Sequence, residues 1–259
     1  MKNSSLARKS QLAFSLLAFL LFFWLGTLVF GSQEASPLIS ESDFYCSFFI
    51  LNEDILQIRI IAAERQEEKI LLSDADSFYV DKGKSDGLEE GQLFSILEVG
   101  PKIKSPVNSK DYGLLGFRRG KARIVRLEEN RAVAKVEKGC GQVLVGGYLI
   151  PFQEKESLLG KDLGFDVSPE EGEGVRGNII YLDGGYNMVG PGHWALIDIG
   201  QENDLKVGQQ MTIFRRLSKD VPRTAIGNLI IIDIQQQTST VKILSCKEAV
   251  KVGDEIQVK

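Results

Sequence analysis

The sequence has 259 residues, 43% hydrophobic and 25% charged, a globular composition that fits one large domain or two ordinary ones and excludes disordered and collagen-like chains. The formal net charge is −4, but Lys2, Arg8 and Lys9 lie in the first 31 residues, which contain no acid, so the rest of the chain has 28 basic and 35 acidic residues, or −7. An acidic chain argues against general nucleic-acid binding, and we predict no nucleic-acid partner.

The first predicted element is an apolar run of 19 residues from Leu12 to Phe30, preceded by the three cations. The usual lengths of a cleaved export signal and of a membrane-spanning helix nearly meet at this value. Residues 1–31 are therefore predicted to be a signal peptide or a signal anchor, and both alternatives stay open. Either one exports the chain after Ser32 to the periplasm or cell envelope, and an uncleaved segment would hold it at the inner membrane.

Residues 32–57 are predicted to be an extended entry segment with a first strand. Cys46 lies in this segment, and Cys140 and Cys246 lie far along the chain. Three cysteines allow at most one internal disulfide, and no Cys-x-x-Cys pattern supports a metal site. We interpret all three as small buried residues in β-structure.

An internal repeat organises the remaining chain. Six of the seventeen positions from Val80 to Ile96 are identical to the residues 117 positions later, and a second block from Gly120 to Gly146 matches at an offset of 107. The offset falls by ten because residues 97–119 correspond to the shorter segment 214–226. We predict two copies of one module, at 58–152 and 175–259, joined by an acidic linker at 153–174.

Each copy consists of short runs rich in β-branched and aromatic residues, separated by turn residues. The predicted fold class is all-β, with two tandem small β-barrel-like modules after an N-terminal hydrophobic signal or anchor helix. The repeated Asp and Gly residues are interpreted as turn positions because they satisfy turn geometry without further chemistry. They are Asp81, Gly83, Gly91 and Gly146 in the first copy, and Asp198, Gly200, Gly208 and Gly253 in the second.

The run YVDKGKSDGLEEGQLF from Tyr79 to Phe94, closing with Val145-Gly146, resembles the small β-barrel module at the C-terminus of the flagellar assembly protein T family. It is also similar to the tandem β modules that follow a LysM domain in Gram-negative envelope proteins, whose lead-in resembles residues 67–73. The resemblance implies a structural or adaptor component associated with the cell wall or the flagellar basal body. No LysM-like segment is visible, so LysM-mediated peptidoglycan binding is not implied, and neither family supplies catalytic residues.

The sequence offers little for catalysis. His193 is the only histidine, so histidine-based triads and His-rich zinc sites have no support. The acidic turn after Asp81 lacks the spacing of an EF-hand loop. We therefore predict a non-enzymatic protein with no cofactor and no metal site.

The ten-residue excess of the first copy, at 97–119, is predicted to be a loop because it contains Pro101, Pro106 and Gly113. It is basic in an otherwise acidic chain, and long loops on β scaffolds often carry binding function. We expect it to bind an envelope protein partner or an anionic cell-wall polymer, the alternative being a solvated hairpin. The expected binding residues are Lys102, Lys104, Lys110, Arg118, Arg119, Tyr112 and Phe117.

A second hypothesis is a carbohydrate-binding or accessory module of a system that processes peptidoglycan. Such a module needs an exposed aromatic platform. Trp194, Tyr181 and Tyr186 of the second copy form the only cluster that resembles one, although they fit the β core better.

Overall fold

The structure, a computed structural model, describes residues 37–259 apart from Leu56, Gln66, Glu67, Lys219 and residues 166–173. The described residues belong to one compact unit, Pro37–Lys259. The predicted signal or anchor at residues 1–31 lies outside them. None of the helices in the described part of the chain is long and apolar enough to span a membrane.

Antiparallel strands form two closed six-stranded barrels. The strands of the first half are β1 (Phe48–Ile50), β2 (Ile58–Ala63), β3 (Leu71–Leu72), β4 (Ser77–Val80), β5 (Leu93–Lys104), β6 (Asp111–Leu127), β7 (Ala132–Gly139), β8 (Val143–Leu144) and β9 (Tyr148–Pro151). Those of the second half are β10 (Arg176–Leu182), β11 (Met188–Val189), β12 (Trp194–Ile197), β13 (Gln210–Arg215), β14 (Thr224–Ile234), β15 (Ser239–Cys246), β16 (Val250–Lys251) and β17 (Glu255–Val258).

The two barrels have the same topology. The first closes in the order β2, β4, β7, β6, β5, β9 and the second in the order β10, β12, β15, β14, β13, β17, so the strands correspond one to one. A two-stranded pair accompanies each barrel, β3 with β8 in the first and β11 with β16 in the second. The all-β class and the repeated two-barrel architecture are confirmed.

Each barrel encloses its own apolar core, because successive residues of a strand point alternately inward and outward. In β14, Leu229 and Ile231 point into the second core. Ile230 and Ile232 belong to a separate cluster on the outer side of the same strand, yet they too are fully buried. Another part of the chain therefore covers the outer face of β14.

The covering part is the entry segment that precedes β1. Ile39 packs against Ile230 and Ile232, and its backbone bridges to Leu158 of the linker. A short helix, Glu41–Cys46, follows where the sequence predicted only extended chain. The Asp43 carboxylate caps this helix by accepting hydrogen bonds of 2.8 Å from the backbone N–H and the hydroxyl of Ser40.

Cys46, the last residue of this helix, forms a disulfide with Cys140, which directly follows β7. The sequence allowed one internal disulfide, and the fold forms it by bringing these Cα atoms to 5.4 Å across a sequence separation of 94. The interpretation of the cysteines as buried residues in β-structure is wrong for this pair, because both are only half-buried and neither lies in a strand. Cys246 stays a thiol, and burial raises its pKa. The entry segment packs on the second barrel, and the disulfide bonds it to the first barrel.

Residues 97–119 do not form a loop, so that prediction is wrong. They form a long β-hairpin in which β5 and β6 continue almost to the tip, and only residues 105–110 make the turn. Pro101 has no backbone N–H to donate to a neighbouring strand. It is tolerated within β5 because the pairing with β6 shifts register between Val99 and Lys102, so no regular hydrogen bond is required there. β1 pairs with the first half of β6 and extends this hairpin to three strands.

Candidate binding surfaces

The hairpin of β5 and β6 packs against the second barrel. An apolar cluster joins the hairpin, β1, β10 and β12; its buried members are Phe48, Ile103, Leu115, Ile180 and Leu196, with Tyr112 and Phe117 packed at its border. The two aromatic residues of the predicted binding set therefore contribute to the interface between the barrels of one chain.

Arg118 provides the polar part of this interface. Its guanidinium donates hydrogen bonds to Asp233 of β14 at 2.5 Å and to the hydroxyl of Ser47 at 3.2 Å. Lys155 of the linker donates to the same carboxylate at 3.2 Å. Burial by itself raises the pKa of Asp233, but the two cations outweigh burial and hold that pKa below its usual value. The hairpin and the linker therefore both donate to this carboxylate of the second barrel, and the entry segment is joined to them through Arg118.

Three of the other four predicted cations contact residues of the hairpin itself. Lys102 pairs with Asp111 at 2.8 Å, Lys110 lies 4.9 Å from the ring centroid of Tyr112, Arg119 pairs with Glu98 at 2.6 Å, and Lys104 is exposed. Because alternate residues of a strand point to opposite faces, the seven predicted residues do not converge on one site.

The repeated turn residues occupy equivalent places in the two barrels. Asp81 accepts a hydrogen bond from the backbone N–H of Arg59, and Asp198 accepts one from the backbone N–H of Asn178. Gly83 and Gly200 each precede a short 3₁₀ turn. The remaining glycines have φ between +85° and +96°, as tight turns require; they are Gly91, Gly146, Gly208 and Gly253.

The aromatic trio does not form an exposed platform. Tyr181 contacts Phe48 edge-on, with 5.3 Å between the ring centroids. Trp194 donates from its indole N–H to the Asp43 carboxylate at 3.0 Å. Tyr186 alone of the three is largely exposed, so the geometry expected for sugar stacking is not assembled here.

His193 lies at the start of β12, where its backbone carbonyl accepts a hydrogen bond from Ile243, and its side chain is exposed. Among the described residues, no group of three or more His, Cys, Asp or Glu side chains is arranged to hold a metal ion.

The outer face of β14 and β15, here called the covered face, binds acidic residues of the chain itself. The Lys242 ammonium pairs with the Asp43 carboxylate at 2.7 Å, and that carboxylate is almost fully buried. Burial raises the pKa of Asp43, but hydrogen bonds from Lys242, Ser40 and Trp194 outweigh it, and the net pKa is lowered. Further along, Asp162 of the linker accepts a hydrogen bond of 2.7 Å from Ser245.

The corresponding outer face of β6 and β7, here called the open groove, has a volume of about 720 Å³. Ala75 and Tyr45 are among the residues that line it, and its cations are Lys121, Arg123, Lys135 and Lys138. Two acids also line it: Glu137 pairs with Arg123, and Asp74 pairs with Lys138 at 3.1 Å. The Lys121 ammonium lies 5.3 Å from the ring centroid of Tyr45. Lys135 is exposed, and no carboxylate of the described residues pairs with it.

This groove is not among the predicted sites, although the sequence carries a signal for it. Lys121 and Arg123 alternate with buried Ala122 and Ile124, which is the period of a strand with one face in the core. The same alternation places Lys135 of β7 outward, between buried Ala134 and Val136. Only the pairing of β6 with β7, which the sequence does not give, brings the two sets together.

A scan against protein-family models and a search of curated proteins return no match to this chain. The resemblance to the flagellar assembly protein T family and to LysM-associated modules therefore stays a prediction based on residues 79–94.

Proposed function

We propose that this chain is an exported, non-enzymatic component of the cell envelope that acts as a structural adaptor through its two β-barrels. The observation that carries the proposal is the interface between the barrels. A flexible tandem array would need only the linker, whereas here the hairpin, the entry segment and the linker all contribute to one contact with the second barrel.

The composition of that interface supports a permanent arrangement. It combines an apolar cluster that contains Phe48 and Leu115 with the ion pairs of Asp233, and it includes the Cys46–Cys140 disulfide on its entry segment. Interfaces between domains that move are usually smaller and more polar. Fixed spacing between two barrels suits a protein that holds partners at a set distance.

The disulfide also supports the proposed compartment. Disulfides persist in oxidising environments such as the bacterial periplasm and are rare in the cytosol. An apolar N-terminal segment followed by a disulfide-bonded body is typical of an exported protein.

Export is tested by fusing alkaline phosphatase, which is active only outside the cytoplasm, after Lys259 of the full chain in a Gram-negative host. We expect phosphatase activity, and we expect an alkylation assay to find Cys46 and Cys140 blocked. A cytoplasmic, fully reduced protein would overturn the localisation.

The adaptor role is tested by site-specific photo-crosslinking from exposed positions of both barrels in whole cells. We expect discrete protein adducts from each barrel. Pelleting of the purified chain with peptidoglycan, lost in Tyr186→Ala but kept in wild type, would instead favour the carbohydrate-binding hypothesis.

A further inference from the structure

We propose that the open groove on the first barrel binds an acidic, extended segment of a partner protein. This inference rests on the proposed function only in taking the partner to be another envelope protein. The chemistry that would recognise the segment follows from the internal repeat.

The open groove and the covered face occupy the same position in the two copies. In the first barrel, Lys135 lies opposite Ser77 in one neighbouring strand and Arg123 in the other. In the second barrel, Lys242 lies opposite Trp194 and Ile230. The strand ladders therefore align Lys135 with Lys242, as the sequence offset of 107 does.

On the second barrel this position holds an acidic peptide segment of the same chain. Asp43 receives the Lys242 ammonium at 2.7 Å and the Trp194 indole N–H at 3.0 Å. Four residues earlier, Ile39 is fully buried against Ile230 and Ile232. The outer face of this module thus binds a short segment through one carboxylate and one apolar side chain.

On the first barrel the same face is open to solvent and more basic. Arg123 stands where the second barrel has Ile230, and Lys121 stands where it has Asn228. Lys135 is exposed, whereas the side chain of its counterpart Lys242 is only 19% exposed because Asp43 covers it. By charge complementarity, a segment that binds the open groove should carry more carboxylates than the entry segment, which covers the second barrel.

The equivalent face also favours polypeptide over glycan as the occupant. The carboxylate that binds there belongs to a side chain, and the apolar residue beside it is placed by the backbone of the same short segment. An aspartate on the groove would meet Lys135 as Asp43 meets Lys242. A second acid in place of Ile39 would lie beside Arg123 and would share its guanidinium with Glu137.

The test uses the full chain in detergent and a fluorescein-labelled peptide that copies residues 37–46 with Ile39→Glu and Cys46→Ser, followed by fluorescence anisotropy. We expect saturable binding that weakens by about tenfold or more in the Lys135→Glu variant. The same weakening is expected for a neutral peptide in which every Glu and Asp is replaced by Gln and Asn. Lys206→Glu, the same charge change at an exposed lysine of the second barrel, is the matched control and is expected to bind normally.

Equal binding by Lys135→Glu and Lys206→Glu, or no saturable binding of the acidic peptide, would overturn the proposal. Binding of an oligogalacturonate but not of the peptide, with the same dependence on Lys135, would show that the groove is a glycan site and would also overturn it. Circular dichroism of each variant separates lost binding from lost fold. The peptide assay uses purified protein, so its outcome does not depend on where the protein is located in the cell. A failure of export in the phosphatase assay would therefore leave the result of the peptide assay unchanged.

Discussion

Arg118 and Arg119 are adjacent in β6 but have different surroundings. The Arg118–Asp233 pair is largely shielded from solvent, with side chains 14% and 15% exposed, whereas the Arg119–Glu98 pair is 27% and 36% exposed. Removing one partner of a buried ion pair leaves an uncompensated charge, while an exposed pair contributes little.

We therefore expect Arg118→Met to lower the free energy of unfolding by about 3 kcal/mol, the lower end of the range for buried pairs because Lys155 still contacts Asp233. Arg119→Met is expected to cost less than about 1 kcal/mol. Urea denaturation of both variants measures the difference. Equal losses would show that Asp233 does not depend on the hairpin.

Gly83 and Gly200 show how the repeat fixes single residues. A Cβ atom at Gly83 would lie 2.4 Å from the backbone nitrogen of Arg131, and one at Gly200 would lie 2.3 Å from the carbonyl oxygen of Gln235. Backbone atoms cannot move aside as a flexible side chain can, so both turns require glycine.

Gly83→Ala and Gly200→Ala are each expected to destabilise the protein by about 1–3 kcal/mol, the usual cost of overpacking. Gly190→Ala is the control, because a Cβ atom at Gly190 meets nothing within 4 Å, and it is expected to leave stability nearly unchanged. Thermal unfolding followed by circular dichroism compares the three. A tolerant Gly83 or Gly200 would contradict the close backbone approach.

Among the elements, the entry segment is connected to both barrels. It contacts the second barrel through Ile39 and Asp43, pairs with β6 through β1, and is bonded to the first barrel at Cys46. Loss of the disulfide should therefore loosen this segment before it affects either barrel.

Cys46→Ser combined with Cys140→Ser is expected to lower the free energy of unfolding by about 2–4 kcal/mol, since the bond closes a loop of nearly one hundred residues. Limited proteolysis is expected to cut the variant first within residues 37–46 and to leave the barrels intact. Cys246→Ser serves as the control and should keep the wild-type cleavage pattern. Simultaneous cleavage throughout the barrels would contradict this order of events.

The elements also show where sequence reasoning succeeds. The strands that line the barrels follow from alternation and β-branched residues, and the repeat follows from identical turn residues. The hairpin at 97–119 was predicted to be a loop because Pro101 and Gly113 are typical loop residues, but a register shift accommodates the proline and a positive φ of +98° accommodates the glycine. Both the register shift and the positive φ occur in paired strands, and local sequence does not specify which strands pair.

At the scale of the whole molecule, the entry segment and the linker supply carboxylates that bind to the second barrel. The entry segment and linker carry the acids Asp43 and Asp162, and the structure places both on the covered face of the second barrel. The net charge of the sequence reveals none of this, because it does not say which acids meet which strands. Nor does it reveal the open groove, whose cations come together only through the pairing of β6 with β7.

This arrangement predicts an acid-sensitive assembly. The pKa values of Asp43 and Asp233 are both below normal in the folded chain, whereas in the unfolded chain both carboxyls titrate near the ordinary value of about 3.9. The unfolded state therefore binds protons first as the pH falls. The stabilisation is present in full above about pH 5 and is lost progressively below about pH 4.

Asp233→Asn is expected to be less stable than wild type at pH 7, because Arg118 and Lys155 lose their shared carboxylate, but to lose less stability between pH 7 and pH 3. Urea midpoints at a series of pH values measure both effects. Glu89→Gln, at an exposed position, is the control and should keep the wild-type loss on acidification. An Asp233→Asn variant with the full wild-type acid sensitivity would contradict the prediction, because other carboxyls would then account for the loss of stability in acid.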